Sequence, residues 1–126
     1  MVLLVRAGDR RRSETPNATM TTLASPTLGA TAALSMWQVK MAAGAKGPWH
    51  VFDSEQVWTV LEGQLAAVVA GEESELRAGD TVVLPAGAER QLSATTDVRV
   101  LVCGHGDATA RVPGEHAPRG TPPWIA

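Results

Sequence analysis

The sequence predicts an all-β domain, a sandwich or barrel, and three observations lead there. Short apolar segments recur at roughly ten-residue intervals between Gly and Pro punctuation. Several of them alternate with period two, and no stretch carries a sustained apolar stripe at helical spacing. The chain has 126 residues, enough for one domain with a real core, and its hydrophobic content of 44% against 19% charged residues is that of a globular protein.

The strands follow in order. Met1 to Val5 is too short for a secretory or membrane segment and reads as a first strand. Residues 6–31 are polar, rich in Thr, Arg, Ala and Pro, and read as an irregular arm carrying one or two short strands. Ser35 to Met41 alternates, placing Trp37, Val39 and Met41 on one face. Gln56 to Leu61 is the next strand, and Gly63 turns it into Leu65–Val69. Residues 71–74, Gly-Glu-Glu-Ser, read as a polar turn, Thr81–Leu84 is stopped by Pro85, and Val98–Cys103 closes the series. The Pro- and Gly-rich residues 104–126 form an irregular tail. The expected organisation is one domain over 1–126, with an N-terminal arm (1–31), a barrel (about 32–103) and a tail (104–126).

Composition narrows the function. The formal charge of −2 gives no general pull toward nucleic acid or an anionic membrane. Arg10-Arg11-Arg12 reads as a solvated charge run. One Cys excludes an internal disulfide framework and a Cys-rich zinc site, and a reducing, cytoplasmic location is the simplest expectation. The absence of Tyr removes any mechanism that needs a phenolic acid or base, and only three His are available.

Two punctuated segments carry a resemblance. Gly44-Ala-Lys-Gly-Pro-Trp-His50-Val-Phe52-Asp-Ser-Glu-Gln56 running to Gly63, and Gly79-Asp-Thr-Val-Val-Leu-Pro85-Ala-Gly87-Ala-Glu-Arg90 running to Ala94, resemble the two motifs of the cupin superfamily. The spacing matches at Gly44, His50, Gly63, Gly79, Pro85 and Gly87. The resemblance implies a double-stranded β-helix, or jelly-roll barrel, with its ligand site inside. It also implies a homodimer in which Val2 to Arg6 pairs with a partner chain.

The departures from the pattern matter most. Where the family's metal centre uses two His and a Glu from the first motif and a His from the second, this chain has His50, Phe52, Gln56 and Arg90. Phe52 cannot ligate, Arg90 brings a permanent positive charge, and Gln56 keeps only a weak amide oxygen. The expectation is a barrel without metal or other cofactor. An atypical metal set of His50 with Gln56 or Glu55 is the further alternative.

Alternation then sketches an organic-ligand pocket. His50, Phe52, Gln56, Trp58 and Val60 point inward, Arg90 and Leu92 share an inward face, and Trp37 is a wall residue. Glu55 replaces Gln56 if the strand slips by one residue. Cys103, at a strand end, reads as a small apolar residue of the lining with nothing beside it to make it nucleophilic. Arg90 suits a carboxylate, enolate or phenolate, and a neighbouring cation favours neutral, basic His50. Bland roles compete with these: His50 hydrogen-bonded to Gln56, or Arg90 ion-paired with Glu55 or Asp53. Trp124 either caps the barrel mouth or, the preferred expectation, sits in a dimer interface.

The expected function is a small-molecule enzyme of the isomerase, cyclase or lyase type, not a dioxygenase, of the kind found in bacterial secondary metabolism. His50 would be its acid or base, Arg90 its oxyanion stabiliser and Gln56 its orienting group. The alternative is a non-catalytic binding or sensing module with the same pocket.

Overall fold

A computed structural model describes residues 2–126. After a single 3-10 turn at Ala7–Asp9 come β1 (Arg11–Glu14), β2 (Thr19–Ala24), β3 (Leu34–Met41), β4 (Val51–Phe52) and β5 (Gln56–Glu62). Then follow β6 (Gln64–Val69), β7 (Glu72–Arg77), β8 (Thr81–Leu84), β9 (Arg90–Ala94), β10 (Val98–His105) and β11 (Ala110–Arg111). A six-stranded sheet runs β1-β2-β3-β10-β5-β8, a three-stranded sheet runs β7-β6-β9, and β4 pairs with β11. All pairings are antiparallel. This is the jelly-roll barrel that the sequence predicts. No helix among the described residues is long and apolar enough to cross a membrane.

Period-two alternation builds the interior. Trp37, Val39 and Met41 of β3, Val98, Val100 and Val102 of β10, and Trp58 and Val60 of β5 are all buried. The register aligns them in rows, with Val102 opposite both Trp37 and Trp58, and Val100 opposite both Val39 and Val60. Leu65, Ala67, Leu92 and Ala94 close the core from the smaller sheet.

Five expectations are corrected. Residues 2–5 form no strand; Val2, Leu3 and Leu4 are exposed, and β1 occupies the sheet edge instead. Met1 lies outside the described residues. Gly63 does not join paired strands, because β5 pairs with β10 and β8 while β6 pairs with β7 and β9. It is the corner at which the chain changes sheets. There φ is +84°, and a Cβ would stand 2.0 Å from the Asp97 carbonyl oxygen, so no other residue fits.

The polar turn is shorter than expected. Ala70 and Gly71, both at positive φ, make a two-residue hairpin between Val69 and Glu72, and the acidic residues after it form edge strand β7. The tail, finally, is not loose. Ala110–Arg111 pairs with β4, and the last residues fold back onto β1 to β3. Thr22 Oγ1 donates to the Trp124 carbonyl at 2.7 Å, Ser35 Oγ donates to that of Ile125, and Ser25 Oγ donates to that of Ala126 at 2.8 Å. These three hydroxyl residues are all buried, and Ile125 is fully so. Arg11, read as part of a solvated run, donates to the same Ala126 oxygen at 2.6 Å.

Candidate functional site

The barrel interior holds a cavity of about 270 Å³. Its walls are apolar: Met20 of β2, Trp37, Val39 and Met41 of β3, Trp58 of β5, Leu92 of β9, and Trp124 of the tail. The β1–β2 turn, Thr15 to Ala18, and the Gly47–Pro48 segment complete the lining. His50, Phe52, Gln56 and Arg90 gather on this cavity and supply its polar end.

Main-chain pairing sets two of these side chains beside each other. His50 N donates to Arg90 O and Arg90 N donates to His50 O, each at 3.0 Å. A pair that exchanges both hydrogen bonds sends its side chains to the same face. Phe52 lies between them chemically as well. Its ring meets the His50 imidazole edge-on at a centroid distance of 5.7 Å, and the Arg90 guanidinium carbon sits 4.2 Å from its centroid. The latter is cation–π contact distance.

Gln56 organises the other side. Its Oε1 accepts from Arg90 Nη2 at 2.8 Å and from Trp58 Nε1 at 3.1 Å. Two donors on one oxygen fix the amide orientation, because the reversed amide would set NH₂ against both. Space for this side chain comes from Gly104 on the neighbouring strand, where a Cβ would stand 3.1 Å from Gln56 Cγ. With the amide so fixed, Gln56 Nε2 has no partner, and neither has Arg90 Nε.

The charge balance at this end is unusual. Arg90 is only 4% exposed, yet among the described residues no carboxylate pairs with it. The two expected candidates are elsewhere. Asp53 accepts from the Thr109 backbone N at 2.9 Å and from its hydroxyl at 2.8 Å, which holds its carboxyl below the usual range. Glu55 is exposed, because alternation turns it away from Gln56. Burial pushes Arg90 down to about 10, so it stays cationic at neutral pH. Burial first, and then the Arg90 charge, push His50 down to about 4. The imidazole is therefore neutral over the physiological range.

The expected residues are thus brought together with two exceptions. Glu55 lies outside the cavity, and the strand does not slip. Cys103 belongs to the outward-facing set of β10, half-buried between Met36 and Val57 on the neighbouring strands, and does not line the cavity. His50 is not hydrogen-bonded to Gln56, whose oxygen is taken by Arg90 and Trp58. Trp124 of the tail is a lining residue of the cavity. Met20 was missed, although Met20 and Thr22 alternate as inward residues of β2.

The donor set does not fit a divalent metal. Among the described residues no three His, Cys, Asp or Glu side chains converge, Gln56 Oε1 already accepts two hydrogen bonds, and a guanidinium occupies the site.

Known structures share the fold. A salicylate 1,2-dioxygenase from Pseudoaminobacter salicylatoxidans, solved with gentisate, superposes with a TM-score of 0.72 at 21% identity over 83% of this chain. This chain spans only 31% of that enzyme's length. An RmlC-like cupin from Shewanella frigidimarina superposes with a TM-score of 0.72 at 18% identity, covering 83% of this chain and 91% of that one. No curated protein sequence matches significantly. A cupin-domain profile matches residues 37–104, the stretch from Trp37 through Gly104 that builds most of the cavity. The chain belongs to the cupin family.

Proposed function

We propose that the barrel interior is the active site of a metal-independent enzyme that performs an acid–base step, an isomerisation, cyclisation or elimination, on a small organic molecule. One observation carries the reading: a neutral imidazole and an unpaired guanidinium sit side by side at the polar end of an otherwise apolar cavity. Cavities of this make-up, mostly apolar with a few converging polar groups, are the usual form of small-molecule sites. His50 removes and returns a proton, Arg90 stabilises the negative charge that develops, and Gln56 holds Arg90 in place. The charge of Arg90 needs no reorganisation during reaction, since the Phe52 ring and the Gln56 amide already fix it.

The test is solvent-deuterium exchange followed by proton NMR, with acetylacetone, benzoylacetone and phenylpyruvate as probes. The wild-type protein should exchange a carbon-bound proton of at least one probe faster than buffer, and His50→Ala should slow that exchange by about a hundredfold or more. Unchanged exchange in both His50→Ala and Arg90→Ala sinks the catalytic role. A second reading, binding without turnover, draws on the His50 imidazole, which has no hydrogen-bond partner in the chain among the described residues to fix its tautomer. It predicts no exchange above buffer with any probe.

A further inference from the structure

We infer that the ligand is a small aromatic monocarboxylate whose negative charge is met by Arg90. The inference rests on the barrel interior being the ligand site, as proposed above, but not on turnover there.

Three observations lead to it. The first is a pair of unspent donors. Arg90 Nε and Gln56 Nε2 are buried and unpartnered, while the other hydrogen bonds of these two residues lock their orientation. Both atoms are closed off from the cavity, and buried donors without acceptors are costly, so this end of the barrel carries an excess of positive potential that an anion in the cavity offsets. The second is charge. Arg90 is the one cation with its side chain in the lining and has no carboxylate partner among the described residues. A single negative charge balances it, whereas a phosphate dianion would leave an uncompensated charge against indole and thioether walls. A planar carboxylate also matches the guanidinium fork, which a neutral carbonyl does not.

The third is size and wall chemistry. The 270 Å³ cavity has room for a ring with one carboxylate. Trp37, Trp58 and Trp124 surround the space beyond the polar end, flat surfaces on which a ring stacks or meets edges. With its carboxylate on Arg90, such a ligand lies beside His50, because residues 50 and 90 are a paired register position.

Isothermal titration of benzoate and of its neutral counterpart benzamide into the full chain tests the inference. The wild type should bind benzoate about tenfold or more tightly than benzamide, the scale of a charge-assisted hydrogen bond. Gln56→Glu is the decisive variant. It keeps acceptors for Trp58 and Arg90 but supplies the guanidinium with a carboxylate of its own, so benzoate affinity should fall about tenfold or more and the preference for benzoate over benzamide should be lost. Circular dichroism confirms the fold, and Arg90→Gln, which should erase the benzoate preference, replaces Gln56→Glu if that variant does not fold. Equal affinities for the two probes, no saturation with benzoate, or unchanged benzoate binding in Gln56→Glu overturns the inference. Benzoate preference without His50-dependent exchange leaves the anion site standing and removes catalysis. His50-dependent exchange of benzoylacetone without benzoate preference does the reverse.

Discussion

Two arginines reach inward in this protein, and they use their donors in opposite ways. Arg11 donates through Nη1 to Thr27 Oγ1 at 2.8 Å and through Nη2 to Ser25 Oγ at 3.3 Å and the Ala126 oxygen at 2.6 Å. Ser25 and Thr27 donate to that same oxygen, so the guanidinium completes a closed latch that ties the tail to the β1 edge. Arg90 is more deeply buried yet makes one side-chain hydrogen bond, to Gln56. Its cation rests on a ring face, and its Nε, like that of Arg11, has no acceptor, so the contrast lies in the terminal Nη donors and the charge. A guanidinium that answers to the chain on several sides serves the fold. One that is buried with charge to spare costs the fold something, and in the proposed reading a bound anion offsets that cost.

Substitution can break this contrast, and the largest effect belongs to the residue the latch secures. Ile125 is fully buried, and Ile125→Ala should cost about 2–5 kcal/mol in urea unfolding. A cost below about 1 kcal/mol would mean that the tail is not part of the cooperative fold. Next come the arginines themselves, replaced alike. Arg11→Met should destabilise by about 1–2 kcal/mol through the lost latch. Arg90→Met should leave stability within about 1 kcal/mol of wild type or raise it, because an uncompensated buried cation gives way to an apolar side chain of similar length. Equal losses at the two positions would erase the distinction.

A pH slope tests the same end of the barrel. His50 takes up a proton near pH 4 in the folded protein but near its ordinary 6.5 when unfolded. Between those values the unfolded chain binds the extra proton, so stability should fall as pH drops from about 6.5 toward about 4. Melting temperatures across this range should show a shallower decline for His50→Gln than for wild type. A parallel decline would place the imidazole in an ordinary, solvated setting.

The sequence makes the barrel legible where burial is one-sided. Trp37-Val39-Met41 and Gln56-Trp58-Val60 alternate because each strand has one face in the core, and that periodicity places Gln56 and Trp58 correctly on the cavity. His50, Phe52 and Arg90 follow from the resemblance of the two Gly- and Pro-punctuated segments to the cupin motifs. What fails does so for identifiable reasons. Strand β7 buries only Leu76 and is otherwise acidic and exposed, so it carries no alternation to read. Val2 to Leu4 has the composition of a strand but no neighbour to pair with in the chain. The roles of Arg11 and Trp124 depend on contacts across about a hundred residues, which local pattern does not encode. Cys103 looks apolar enough for the lining, yet register turns it outward.

The paired hydrogen bonds between residues 50 and 90 have a consequence for how such a barrel changes over time. Because main-chain atoms hold those two positions together, the distance between them does not depend on which side chains they carry. Either residue can be exchanged while the other stays where it was. The scaffold thus separates inheritance of spacing from inheritance of chemistry, and a lineage can lose one set of reactive groups at this spot and acquire another without rebuilding the barrel around it.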